Sequence, residues 1–169
     1  PYIENYDLKY LSEDHIIVPS IDRDRIRNSM SKFTLREDQV TAVLKCIINK
    51  RGVIQLPTAI GKSAIITVVI KELLLFNPEI KILVLAPTLS TVNNIHETFL
   101  EEGLNSTVFG HPSKEVNSRI TTSLVQSLIS SSKDNPELLK DIDAVFYDEC
   151  LPANSLILSN HVCLSSDSL

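Results

Sequence analysis

Apolar positions along this chain recur with two different periods, and their alternation predicts an α/β fold. Residues 36–50 place Val40, Val43, Leu44 and Ile47 at helical spacing, and Gly52 reads as the end of that helix. Val53-Ile54-Gln55-Leu56 follows as a short buried strand. Residues 62–76 would be a strand on propensity alone, because Ile65, Ile66, Thr67, Val68, Val69 and Ile70 are all β-branched. The next strand spans 81–86 and is stopped by Pro87; a helix is expected from about 91 to 101. Thr107-Val108-Phe109 and Ile120-Thr121-Thr122 read as strands, and Ser130-Ser131-Ser132 as a loop. Asn135-Pro136 punctuates before a short helix over 137–140, and 144–147 is the last strand of the run. Strands alternating with helices indicate a parallel, doubly wound sheet with helices on both faces.

Before this run, residues 1–33 carry mixed charge and Tyr2, Tyr6 and Tyr10, with a short solvated helix suggested by Asp22-Arg23-Asp24-Arg25. They read as a lead-in segment without chemistry. The 169 residues, 43% hydrophobic and 22% charged, suit one globular domain with a proper core. The longest apolar stretch, 64–76, is broken by Lys71 and Glu72 and is too short to span a bilayer, so no membrane association is expected. No secretory signal is visible, and a start at Pro1 rather than Met suggests an upstream part is missing. A net charge of −5 argues against a broad basic face for nucleic acid, but leaves room for contacts from loops and helix N-termini. Cys46, Cys150 and Cys163 cannot all pair and lack zinc-ligand spacing, which suits a reducing, intracellular compartment. Cys46 reads as a core residue, and His15, His96 and His111 as surface or capping residues.

Chemistry concentrates in two places. Leu56-Pro57-Thr58-Ala59-Ile60-Gly61-Lys62-Ser63 lies between a predicted strand and the 62–76 segment. Gly61 would let the backbone wrap a phosphate, Lys62 would reach the β- and γ-phosphates, and the Ser63 hydroxyl would bind Mg²⁺. Such a loop must run into a helix, which overrules the strand propensity of 62–76. At the other place, Asp148-Glu149 closes an apolar strand. Adjacent carboxylates there are costly unless a cation or a bound water uses them.

The loop resembles motif I of superfamily 2 helicases, commonly Pro-Thr-Gly-x-Gly-Lys-Thr, with Ala59 for the middle glycine as in the phage UvsW-type helicases. Leu35-Arg36-Glu37-Asp38-Gln39 resembles the family's Leu-Arg-Pro-Tyr-Gln element, whose Gln reads adenine. Val84-Leu85-Ala86-Pro87-Thr88 is similar to motif Ia, which touches the nucleic-acid backbone. Gln126-Ser127-Leu128 is similar to the Thr-x-Gln-Ser-Leu stretch, with Leu124 where Thr is usual. The resemblance covers roughly 34–149 and implies a first RecA-like ATPase lobe. It implies ATP held by Gln39, Pro57, Thr58, Gly61, Lys62 and Ser63, and Mg²⁺ held by Ser63 and Asp148. Glu149 would polarise the attacking water, DNA would be the partner, and a phage-infected bacterial cytoplasm the setting.

The family continues Asp-Glu-Cys-His or Asp-Glu-Ala-His, whereas this chain gives Asp-Glu-Cys-Leu. Residues 150–169 resemble the opening block of an intein, with a first Cys, then Leu, then Ser155 and an apolar Leu156-Ile157-Leu158 strand. That likeness implies the N-terminal fragment of a split intein, a short β piece of a HINT fold. Cys150 would attack the Glu149 carbonyl, and the partner would be a C-terminal intein fragment fused to the remaining helicase half. Splicing onto a Cys-His start would restore Asp-Glu-Cys-His. On this reading Cys163 is a small buried residue of the intein fragment, and His161 is not the assisting histidine. The rival is a plain superfamily 2 ATPase domain with a divergent motif II and no intein. A nucleotide-binding adaptor without catalysis is a third possibility.

Overall fold

The computed structural model describes residues 21–50, 52–56, 61–110, 118–148 and 161–166. Among them, six strands form one all-parallel sheet: β1 (Gly52–Leu56), β2 (Ile82–Ala86), β3 (Ser106–Phe109), β4 (Ile120–Leu124), β5 (Ala144–Asp148) and β6 (His161–Ser166). Their spatial order is β1-β6-β5-β2-β4-β3. Helices α1 (Arg23–Arg27), α2 (Glu37–Asn49), α3 (Lys62–Phe76), α4 (Leu89–Glu101) and α5 (Val125–Asp134) accompany it, with a 3₁₀ turn at Pro136–Leu139.

Alternation along β2 shows how the two faces are filled. Ile82, Val84 and Ala86 join the core cluster formed with α1–α4, while Leu83 and Leu85 join the second cluster with Leu128 of α5. Every residue of β2 is therefore buried, as in a strand covered on both faces. The doubly wound, RecA-like α/β architecture expected from the sequence is what forms.

The 62–76 segment is a helix despite its β-branched run. Residues 64–70 of α3 are all buried, so it is a core helix, apolar all round, held by packing rather than by propensity. The expected helices at 36–50 and 91–101 form with bounds shifted by one or two residues. Two of their ends have identifiable causes. Thr88 caps α4 by accepting the Thr91 N–H at 3.2 Å. Lys50, not Gly52, ends α2: it takes the left-handed conformation at φ 57°, and Gly52 opens β1.

Three expectations need correction. Ser130-Ser131-Ser132 is not a loop but part of α5, an amphipathic helix that buries Leu128 and caps the sheet's second face. Residues 21–33 are not merely solvated lead-in. Ile26 and Met30 lie in the main core, and Asp22 caps α1 by accepting the Asp24 and Arg25 N–H groups. The strand at 144–147 is not the last, because β6 follows it. Residues 161–166, which the intein likeness would place in a HINT piece, take part in this sheet. They pair in parallel with β1 on one side and β5 on the other, at the middle of the sheet's left half. Cys163 accordingly sits opposite Tyr147 and Val53. The expected strand at 156–158 lies outside the described residues.

Candidate functional site

All six strands run the same way, so the carboxyl ends of β1, β6, β5, β2 and β4 share one edge, where α3, α4 and α5 begin. In open parallel sheets this is the edge where ligands bind. Gly61 is the N-cap of α3 and takes φ 81°, a left-handed conformation that favours glycine. Its carbonyl accepts the Ala64 and Ile65 N–H groups at 3.1 and 3.3 Å, so the helix starts there. Lys62 and Ser63 are the first two helical residues, both half-buried. No acidic residue stands in this first turn. The helix end therefore keeps its partial positive charge uncompensated by a carboxylate of its own first turn, an anion-binding arrangement.

A second constraint on Gly61 comes from α2. A Cβ at Gly61 would meet Gln39 Nε2 at 2.7 Å. Gln39 is buried, and its Oε1 accepts the Arg36 backbone N–H at 2.9 Å, the third helical residue reaching back to the cap. The amide is thus oriented with its nitrogen toward the loop. The residue expected to read adenine and the glycine expected to wrap phosphate are neighbours.

Asp148 is the last residue of β5 and only 6% exposed. Its register partner in β6 is Leu164, which also faces Ile54 of β1. The acidic strand end and the strand feeding the phosphate loop are therefore two strand spacings apart, about 10 Å. A buried carboxylate on the same sheet edge as a helix N-terminus with a lysine and a hydroxyl suits a divalent cation shared with a phosphate chain. Pro57, Thr58, Glu149 and Cys150 lie outside the described residues.

Sequence reasoning missed what lies between. Ser165 and Ser166 end β6 in register with Gln55 and Leu56. They occupy the strand tip separating the two halves of the site. The signal lies in Val162-Cys163-Leu164, an apolar run that ends in two hydroxyl residues.

Other candidates take structural roles. His96 Nδ1 pairs with Ser106 Oγ at 2.7 Å. Cys46 is buried, and burial pushes its thiol up to about 12, so it behaves as a small apolar residue. Among the described residues, no group of His, Cys, Asp and Glu gathers as a metal cluster, and no helix is long and apolar enough to cross a membrane.

Comparison with known proteins bears on both fold and family. The crystal structure of the UvsW helicase from bacteriophage T4 superposes with a TM-score of 0.69 at 22% identity, covering 86% of this chain and 60% of that one. A second crystal structure of T4 UvsW gives 0.68 at 21% identity, covering 86% and 34%. At such identities the likeness is one of fold, and this chain spans about a third to three fifths of those molecules. Among curated proteins, none matches the chain. The family model described as the res subunit of type III restriction enzymes matches residues 32–155. That match takes in the phosphate loop and Asp148, and its bounds extend past Cys150 to residue 155. Covering well over half of the chain, it shows that the protein belongs to this family.

Proposed function

We propose that this chain is the nucleotide-binding lobe of an ATP-dependent superfamily 2 DNA helicase. One observation carries the reading: Gly61, Lys62 and Ser63 at the start of α3 share a sheet edge with the buried Asp148 carboxylate, two strands away. The α3 amides and Lys62 would hold the phosphates of ATP, with Pro57 and Thr58 in the loop before them. Ser63 and Asp148 would hold Mg²⁺, which supplies positive charge against the β- and γ-phosphate oxygens. Glu149, next in sequence, would polarise the attacking water. Gln39 would read the adenine edge, giving up its bond to Arg36 N–H or using its second lone pair. DNA would lie along the α4 and α5 N-termini, near Thr88 and Gln126.

Splicing through Cys150 is the weaker reading. It rests on the Cys-Leu block alone, whereas the family match reaching past Cys150 and the place of β6 inside the sheet both favour an uninterrupted helicase domain. In that domain Asp-Glu-Cys-Leu is a divergent motif II.

Lys62→Ala is the test. A fluorescent ATP analogue should bind this variant at least about tenfold more weakly than wild type, equivalent to 1.4 kcal/mol. Unchanged affinity in a folded variant overturns the assignment.

A further inference from the structure

The phosphate-loop helix is gripped a second time, far from the nucleotide. Residues 27–35 form a closed loop, with the Leu35 N–H donating to the Arg27 carbonyl at 2.8 Å. Arg23 and Arg27 both pair with Glu37, which joins α1 to the first turn of α2. This unit carries Gln39, two residues further on. Beside the apolar packing of Ile26, Met30 and the buried face of α2, its attachment to the rest of the molecule includes specific polar contacts. Ser31 donates its N–H to both Glu102 oxygens at 3.0 and 3.1 Å and its hydroxyl to Glu102 Oε1 at 2.7 Å. Lys71 Nζ donates to Glu102 Oε2 and to the Ser29 carbonyl, each at 2.7 Å. Arg25 pairs with Glu72, whose side chain is 2% exposed.

Lys71 and Glu72 belong to α3, the helix whose first residues are Lys62 and Ser63. The attachment therefore lies ten or eleven residues down the helix that Gln39 touches at its start, roughly 15 Å along the axis. With Gln39 held by Arg36 N–H and abutting Gly61, contacts tie the α1–α2 unit to α3 near both the start and the later part of that helix. The Glu102 side chain is only 3% exposed and Lys71 21%, so this contact is not a loose surface pair that salt and side-chain freedom would dissolve.

We infer that Glu102, together with Lys71 and Ser31, is a positioning device that seats Gln39 against the phosphate loop and so sets base selectivity at the nucleotide site. The inference rests on the proposed nucleotide-binding function, and Glu102 and Ser31 themselves lie away from the α3 N-terminus. Packing alone would hold α2 near α3. The polar clamp fixes its angle, because three donors from two segments converge on one carboxylate.

The test uses the whole chain and two probes, fluorescent adenine and guanine diphosphates. In Glu102→Gln, the preference for adenine over guanine should fall roughly 2- to 30-fold, the span of coupling changes seen for remote residues. Guanine affinity should stay within error. Combining Glu102→Gln with Gln39→Ala should lower the preference no further than Gln39→Ala alone. Hydrogen exchange supplies a readout that needs no nucleotide: amides at 36–40 should exchange faster in Glu102→Gln, while those of β2 keep their wild-type protection. Ser31→Ala, a smaller change, should show the same pattern in weaker form. Equal loss for both nucleotides, additive effects with Gln39→Ala, or unchanged exchange at 36–40 would each overturn the inference. Wild type that binds neither probe, with faster exchange at 36–40 in Glu102→Gln, would leave the clamp standing and defeat the nucleotide-binding reading instead.

Discussion

The two ends of α3 are built on opposite principles. At its start the helix has a left-handed glycine, a lysine, a serine and no carboxylate in its first turn. Farther along, Lys71 and Glu72 are tied into ion pairs with Glu102 and Arg25. The first end keeps its positive potential uncompensated, which stabilises nothing in the absence of an anion. The second satisfies its buried charges internally. One helix thus separates what binds from what holds the fold, and substitutions at its two ends should fail differently.

The largest effect on folding is expected from the locked end. Arg25→Ala leaves the Glu72 carboxylate buried without its cation and should lower the unfolding free energy by about 3 kcal/mol, read by urea denaturation. The comparison fails if Lys62→Ala costs as much, since that open-end substitution should stay within about 0.5 kcal/mol. Gly61→Ala sits between them. It forces an alanine to φ 81° and crowds Gln39, costing about 1–2 kcal/mol, and it should weaken nucleotide binding more than stability. Thr88→Ala removes a cap and should cost about 1 kcal/mol, read in thermal unfolding.

Acid should separate the two carboxylates of the locked end. Burial pushes Glu72 up, with Asp22 adding to it, and the neighbouring Arg25 only partly offsets this. For Glu102 burial also acts upward, but hydrogen bonds from Lys71 and Ser31 outweigh it and hold the carboxyl below its ordinary value. A lowered folded-state value means stability that is complete above the unfolded-state value and is lost as pH falls through the folded one. A raised value has the opposite sign, so ionised Glu72 is a burden at neutral pH that protonation relieves. Denaturation curves at neutral and mildly acidic pH should therefore show the contribution of Glu102, taken as wild type minus Glu102→Gln, shrinking in acid. That of Glu72, taken against Glu72→Gln, should grow. Parallel profiles would contradict both assignments.

How legible this was in the sequence also differs from region to region. The β-branched run of α3 was correctly read as a helix, because the Gly61-Lys62-Ser63 loop requires one and outweighs propensity. No comparable constraint marked α5. Its serines favour loops by competing for backbone hydrogen bonds, and only Leu128 and its half-buried neighbours reveal the face that packs on the sheet. Ile26 escaped notice because four charged residues surround it in sequence, and its burial depends on a tertiary contact. The tail differs again. The Cys150-Leu151 block carries the likeness to an intein opening, while the apolar strand further on, β6, is revealed only by its place in the sheet. Gln39 was identified from its motif, but its contact with Gly61 could not be, since no spacing rule places residues 22 positions apart side by side.

The most direct test of the central claim, that Asp148 and the α3 N-terminus form one nucleotide and cation site, is the Mg²⁺ dependence of ATP binding measured by calorimetry. Wild type should bind ATP more tightly with Mg²⁺ than without. Asp148→Asn should abolish that increment and keep the cation-independent part, while Lys62→Ala should reduce affinity under both conditions. An Mg²⁺ increment that survives Asp148→Asn intact would place the cation elsewhere and contradict the account.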